Sequence, residues 1–447
     1  MKTFRIGGIH PAENKLSATS PIKVAELPKI AVFPLAQHIG APAKAIVQKG
    51  DKVKVGQMIA EANGFVSAHI FSSVSGTVLK IDNAIDASGY GKPAIYITVE
   101  GDEWLESIDR TPQLITIKDK PELTDKDIVE KVKNAGIVGM GGACFPCHVK
   151  LSPPPGTKPE WVIINAAECE PYLTADHRLM LEHADEILVG VTLLMKAVNV
   201  NKGYVAIEKN KADAIKIMQE KASAYDNIEI VTLKTKYPQG GEKQLIDAVV
   251  SRQVPAPPAL PVSVGAIIQN VGTAYAVYEA VMKNKPLIER IVTVTGKSLK
   301  SPSNFLTRLG TPMSQLIDAC GGLPEDTGKI IGGGPMMGKA LLSTEIPICK
   351  GSSGVLIMNE KEASRTEPQN CIRCGKCVDA CPMGLEPYLL SDCSELKLWE
   401  RLEKEDVTSC IECGSCQYTC PAYRPLLDYI RLGKTTVMGI IRSRNTK

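Results

Sequence analysis

The residues with the clearest chemistry are cysteines near the C-terminus. Cys371-Ile-Arg-Cys374-Gly-Lys-Cys377-Val-Asp-Ala-Cys381-Pro382 is followed, after a spacer, by Cys410-Ile-Glu-Cys413-Gly-Ser-Cys416-Gln-Tyr-Thr-Cys420-Pro421. Both runs have the form C-x2-C-x2-C-x3-C-P, the spacing with which thiolates hold [4Fe-4S] cubanes. Three cysteines on one tight loop each reach a different iron. The fourth, after three more residues, points away to the other cluster. One cluster is therefore assigned to Cys371, Cys374, Cys377 and Cys420, and the other to Cys410, Cys413, Cys416 and Cys381. Gly375 and Gly414 suit loops whose backbone approaches the inorganic core, and Pro382 and Pro421 turn the chain after each fourth ligand. Zinc knuckles usually present ligand pairs at C-x2-C, not a duplicated run of four ending in Cys-Pro, so the reading is two [4Fe-4S] clusters.

The rest of the chain must position these ligands. At 447 residues it is long enough for two to four domains, each with its own core. An apolar fraction of 44% with 23% charged residues is a globular balance, not a disordered one. A net charge of +3 and only 5% aromatic residues give no basis for nucleic-acid binding. Eight of the 14 cysteines are taken by the clusters, which points to a reducing compartment. Residues 1–20 lack the apolar core of an export signal, and the longest apolar run, Ile187 to Met195, is too short to span a bilayer. Any membrane association is expected to be peripheral.

Residues 1–115 read as β-rich, with apolar and polar residues alternating between Gly50, Gly56 and Gly76. This stretch resembles the lipoyl/biotinyl barrel-sandwich module. The hairpin that would carry a modified lysine reads Gly64-Phe-Val-Ser-Ala-His69 and has none, so the module is expected to be structural. His10, His38 and His69 read as surface or packing residues, not ligands. Residues 116–285 alternate helical and strand patterns, as a parallel α/β sheet does: a helix Asp125 to Ala135 capped by Thr124, a strand Trp161 to Asn165, a long helix Thr174 to Val198, strands Tyr204 to Ile207, Ile228 to Leu233 and Val264 to Ile268, and a helix Ala212 to Ser223. Gly136-Ile-Val-Gly139-Met-Gly141-Gly142 follows a helix, whereas a dinucleotide fingerprint follows a strand. By itself it is a phosphate-binding loop or a tight turn. Residues 286–355 resemble a soluble-ligand-binding β-grasp module with a helix at Met313 to Ala319. Residues 356–447 form the α-helical, two-cluster, ferredoxin-like domain, helical between Pro387 and Glu405.

The order of these pieces carries a family resemblance. Gly139-Met-Gly141-Gly142-Ala-Cys-Phe145-Pro146…Lys150, Asn165-Ala-Ala-Glu168-Cys-Glu170-Pro171, Gly240-Gly241-Glu242 and Asn270-Val-Gly-Thr273 are similar to motifs of the NADH-binding flavoprotein subunit of respiratory complex I. With the Gly7-Gly8-Ile-His10-Pro11 opening, the sandwich and the cluster motifs, nearly the whole chain resembles the C subunits of Rnf complexes, ion-translocating ferredoxin:NAD oxidoreductases. The resemblance implies bound FMN and an NAD(H) site. Gly139, Gly141, Gly142 and Lys150 would hold phosphates and ribityl hydroxyls, as oriented amides and a cation can. Asn165, Glu168 and Glu170 would line flavin and nicotinamide, Gly240, Gly241 and Glu242 would shape the nicotinamide side, and Asn270 and Thr273 would bond the FMN. Complex I has a basic residue where Met140 stands. Cys144 and Cys147 form a C-x2-C that reads as two ordinary thiols, because no thioredoxin-like strand precedes them, with a redox disulfide as the alternative; Cys169, Cys320, Cys349 and Cys393 read as buried small residues.

The resemblance implies an NAD(H)-linked iron–sulfur flavoprotein in which cofactors carry the chemistry and no side chain acts as acid or base. Its expected partners are other subunits of a membrane complex, including a ferredoxin-like one, with peripheral attachment at the cytoplasmic face of the inner membrane. The competing readings are a soluble cobalamin reductase of the propanediol-utilisation type and a non-catalytic iron–sulfur scaffold. Arg424, Arg431, Lys434, Arg442, Arg444 and Lys447 against Asp428 make the C-terminus basic, which by default is a solvated tail and otherwise a contact for an acidic membrane surface or partner.

Overall fold

The structure is a computed structural model and describes residues 1–445. Its centre is a four-stranded, all-parallel sheet built from Trp161–Ala166, Gly203–Glu208, Ile228–Leu233 and Ala266–Asn270, with Trp161–Ala166 paired to both Gly203–Glu208 and Ala266–Asn270. A parallel strand is buried on both faces, which its composition reflects. Val162 and Ile164 pack into the helical layer of Ala184–Ala197 and Val271–Met282, while Ile163 packs beneath Glu242–Val250. The strand expected at Val264 to Ile268 begins at Ala266, because Pro261–Val264 closes into a 3-10 turn. The helix expected over Thr174 to Val198 is two helices, Ala175–Glu182 and Ala184–Ala197. His183 breaks it by leaving helical geometry at φ −136° and ψ 38°. Asp125–Asn134 starts at Thr124 through a capping box with Asp127, as its sequence implies.

The barrel-sandwich strands lie in two antiparallel sheets, and the β-grasp strands form a mixed sheet of six. These two modules share one core: Phe33, Ile59, Ile70, Ile95 and Ile97 of the sandwich meet Val292, Val294, Phe305 and Leu316 of the β-grasp. The boundaries drawn from sequence differ at the edges. The N-terminal 25 residues do not join the sandwich. Lys2 bridges Leu233, Ile9 bridges Tyr237, and Ile22–Val24 pairs with Ser303–Arg308 as an edge strand of the β-grasp sheet. Strand Gly354–Asn359 also belongs to that sheet, past the boundary at 355.

The C-terminal domain is helical. Pro387–Glu395 and Trp399–Lys404 replace the single helical stretch expected there, and both pack against Leu426–Asn445 around Leu390, Leu402, Val407 and Ile430. The solvated-tail expectation is corrected. Residues 426–445 are helix, and the basic side chains grip the domain: Arg424 bonds Asp392, Arg431 and Lys434 bond Glu412, and Arg444 bonds Glu403. Lys447 lies outside the described residues. No helix among the described residues is long and apolar enough to cross a membrane.

Candidate functional site

The two cysteine runs fold into the same local shape. Arg373 and Gly375 have φ 55° and 75°, and Glu412 and Gly414 have φ 58° and 78°. Each glycine then starts a one-turn helix, Lys376–Asp379 or Ser415–Tyr418. A left-handed residue just after the second cysteine curls the loop, and glycine adopts that conformation at least cost. Cys410, Cys413 and Cys416 line a small cavity together with Cys381 from the other run, and apolar Leu385, Leu390, Ile411, Leu427 and Ile430 close it. Burial, with mutual repulsion, pushes the Cys410 thiol up to about 11 and raises Cys413 and Cys416 as well. Buried thiols raised in this way become thiolates together only around a strongly cationic centre. The second set differs in setting. Cys371 and Cys374 are exposed, while Cys377 and Cys420 are half-buried.

The buried set abuts the central domain. Tyr237 donates its hydroxyl to the Cys413 carbonyl at 2.8 Å, Gln244 donates to the Pro382 carbonyl at 3.1 Å, and Gly8 N–H donates to the Ala380 carbonyl at 3.0 Å. Ile9, Cys169, Tyr237, Met336, Ile411 and Cys413 form a small apolar junction there. No motif assigned a role to Tyr237, although it precedes Gly240-Gly241-Glu242, and a hydrophobic residue able to donate at such a turn is the signal that could have found it.

On the central domain's side, the sequence-selected residues converge at the carboxyl ends of the parallel strands, where open α/β sheets bind ligands. Asn165 donates to the Gly240 carbonyl at 2.8 Å, and Gly240 N–H donates to Cys169 Sγ at 3.2 Å. Lys150 Nζ donates to Glu242 at 2.9 Å and to the Ile268 carbonyl at 3.2 Å. Asn270 caps Val271–Met282 through Gly272 and Thr273 N–H, and Thr273 accepts from Met140 N–H at 2.9 Å. A side chain on Gly141 would strike Asn270 at 2.9 Å, while one on Gly142 would enter open space. The loop therefore presses its backbone on the helix start and leaves its outer side free.

The two glutamates are already engaged. Glu168 accepts from Asp176 and His177 N–H at the start of Ala175–Glu182, and Glu170 accepts from Met336 and Met337 N–H in the β-grasp loop. Burial pushes Glu170 up to about 7. Asp176, which receives Asn270's amide at 2.7 Å, is also pushed up to about 7, by burial and then by Glu168. Lys15 holds the loop from below, donating to the carbonyls of Glu168, Glu170 and Leu173. Nothing in the sequence marks that lysine.

The matches to known families cover the same ground. The Nuo51 FMN-binding domain family matches residues 132–279, the RnfC barrel sandwich hybrid domain residues 2–102, the SLBB domain residues 291–340 and the 4Fe-4S dicluster domain residues 363–421. The C subunit of the proton-translocating ferredoxin:NAD(+) oxidoreductase complex of Clostridium ljungdahlii is 48% identical over 439 residues, 97% of this chain and 94% of that one. The Na(+)-translocating counterpart of Acetobacterium woodii is 44% identical over 447 residues, 99% of each chain. The C subunit of an ion-translocating oxidoreductase complex of Rhodobacter capsulatus is 40% identical over 399 residues, 88% of this chain and 75% of that one. This chain belongs to the family of C subunits of ion-translocating ferredoxin:NAD oxidoreductases. The fold follows the family's order of barrel sandwich, flavin-binding domain, SLBB module and dicluster domain.

Within this fold the remaining thiols separate. Cys147 is buried and accepts from Gln269, whereas Cys144 faces the Gly351 turn of the SLBB module, where a Cβ would strike its sulfur. Cys320 and Cys393 are buried as expected. Cys169 and Cys349 are only half-buried, and Cys169 lines a cavity of about 240 Å³ beside Lys15, Lys236 and Tyr237. His38 and His69 accept backbone N–H groups from Ala68 and Ala62, and Phe65 packs edge-on against His148. The lysine-free hairpin is thus fastened to the flavin-binding domain, which suits a structural module.

Proposed function

We infer that this chain is the NAD(H)-linked subunit of a membrane-associated, ion-translocating ferredoxin:NAD oxidoreductase, carrying FMN and two [4Fe-4S] clusters. The observation that carries the reading is the junction of a buried four-thiol cavity with the carboxyl edge of a flavin-type sheet, in a chain that matches its C-subunit relatives end to end. When bound, the flavin supplies exchange between a two-electron hydride and single electrons, and the clusters supply one-electron sites.

The residues supply position. Gly139, Gly141, Gly142, Lys150, Asn165, Asn270 and Thr273 are the proposed flavin cradle, and Glu168, Glu170, Gly240, Gly241 and Glu242 shape its nicotinamide side. Cys381, Cys410, Cys413 and Cys416 form the inner thiolate set beside that cradle. Cys371, Cys374, Cys377 and Cys420 form the outer set, at the surface where a protein partner docks. Tyr237 and Gln244 hold the inner loop against the cradle, and the apolar junction keeps water out between them. Attachment at the cytoplasmic face of the cell membrane is through other subunits, a ferredoxin-like one among them.

Anaerobic purification tests this. Flavin, iron and sulfide for two cubanes, and NADH-dependent reduction of an artificial acceptor are expected. Iron and sulfide without flavin, and no NADH oxidation, would overturn the reading in favour of a scaffold. Preferential reduction of a corrinoid would overturn it in favour of a cobalamin reductase.

A further inference from the structure

Arg290 is a buried cation that the proposed function has not used. It lies on strand Glu289–Thr295 of the SLBB module and is only 7% exposed. Its guanidinium donates Nε to the Ser352 carbonyl at 3.1 Å, Nη1 to Met140 Sδ at 2.8 Å and Nη2 to the Met140 carbonyl at 3.3 Å. Every acceptor is neutral. None of the ion pairs among the described residues, drawn to 4.0 Å, includes Arg290. Asp176 is the acid it senses, and that carboxyl is held by Asn270 and pushed toward its neutral form.

Burying an ion without a counter-charge is costly, so such an ion implies an anion that arrives from elsewhere. Two features set where it would arrive. A Cβ placed on Gly272 would lie 3.5 Å from Arg290 Nη1, so the guanidinium sits at the start of the 12-residue helix Val271–Met282, whose N-terminal end is itself electropositive. Met140 is the residue between Gly139 and Gly141, and its own N–H is tied to Thr273. The arginine, the helix end and the glycine loop therefore converge on one place, with the open side at Gly142. Guanidinium has five N–H donors, and three hydrogen bonds leave two for a ligand.

We propose that Arg290 is the counter-charge to the phosphate of bound FMN, carried to the glycine loop by the SLBB module, so that two modules complete one flavin site. The inference rests on the flavin reading above, and the two fail differently. Full-length protein carrying both clusters and freed of flavin is titrated with FMN and with riboflavin, followed by quenching of flavin fluorescence. Wild type binds FMN more tightly than riboflavin. In Arg290→Gln the FMN Kd rises about 10- to 100-fold, the range for losing a charge-assisted hydrogen bond, and the riboflavin Kd stays unchanged. Arg290→Lys, which keeps the charge without the fork, falls between.

An unchanged FMN Kd in Arg290→Gln overturns the proposal. Equal weakening of FMN and riboflavin also overturns it, placing Arg290 at the ring or in the fold. Loss of NAD+ binding with FMN binding intact assigns the anion to the dinucleotide instead and overturns it too. Cluster absorbance and thermal melting of both variants accompany the titration. If Arg290→Gln melts early, the comparison is Arg290→Lys against wild type, where the FMN-to-riboflavin preference must still shrink. Wild type that binds neither flavin sinks the flavin reading itself.

Discussion

Single residues in this protein take their properties from what surrounds them more than from their type. Lys350 is fully buried, with Nζ between the carbonyls of His69 and Gly136, and burial lowers its pKa from 10.5 to about 7. With the folded pKa below the unfolded one, its contribution to stability is full above about 10.5 and is lost as pH falls through about 7. Between about pH 7 and 9, wild type is expected to gain on Lys350→Met by about 1.4 kcal/mol per unit, read as a growing gap between their anaerobic unfolding midpoints in urea. A gap that is flat with pH would show that the amine stays charged. Tyr237 is a second case. Tyr237→Phe deletes only the hydrogen bond to the Cys413 carbonyl and is expected to cost about 1 kcal/mol. It should also shift the potential of the inner cluster while leaving FMN affinity alone, as a redox titration followed by EPR would report.

Among elements, the N-terminal strap contributes what no module boundary indicates. Gly7 has φ 65°, and a Cβ there would strike the Cys381 carbonyl oxygen, which is backbone and cannot swing aside. Gly7→Ala is therefore expected to push the strap off the inner cluster loop, at a conformational cost of about 1–2 kcal/mol before the clash is counted. The measured signature is a normal flavin content with slower reduction of the inner cluster by NADH. Further along the strap, Lys15 satisfies three carbonyls of the loop bearing Glu168 and Glu170. Lys15→Met leaves them unpaired, and the expected result is a raised KM for NADH with the iron content unchanged, since none of the cysteines in the two runs bonds Lys15.

At the scale of the molecule, the dicluster domain is oriented. One thiol set is buried against the flavin-binding domain and the other opens to solvent. Paired substitutions test this polarity. Cys381→Ser is expected to keep FMN and NADH-dependent ferricyanide reduction but to lose NADH-driven reduction of both clusters. Cys371→Ser is expected to leave the inner cluster reducible by NADH and to abolish only transfer to a protein partner. The opposite pattern would reverse the orientation of the domain. Ile372 and Tyr423 are exposed close to the outer set in sequence, giving that face apolar contact area.

The sequence alone proposed the eight cluster ligands and showed the order of the four modules and the glycine motifs, because each depends on local spacing. A cubane loop needs two residues between successive cysteines and its glycine in a left-handed turn, and both are written contiguously in the chain. Parallel strands such as Trp161–Ala166 were legible for the same reason: a run of apolar residues buried on both faces is a local pattern. The break at His183 and the docking of Leu426–Asn445 were not, since a helix end or a paired surface charge depends on residues far away in sequence. The tertiary structure alone decided which thiol set faces inward, which donors hold Glu168 and Glu170, that Lys15 and Arg290 reach the site from other modules, and that Tyr237 reaches the inner cysteine loop. These are contacts between residues far apart in the chain, such as Gly8 with Ala380, and only the packing of modules around a shared edge brings them together.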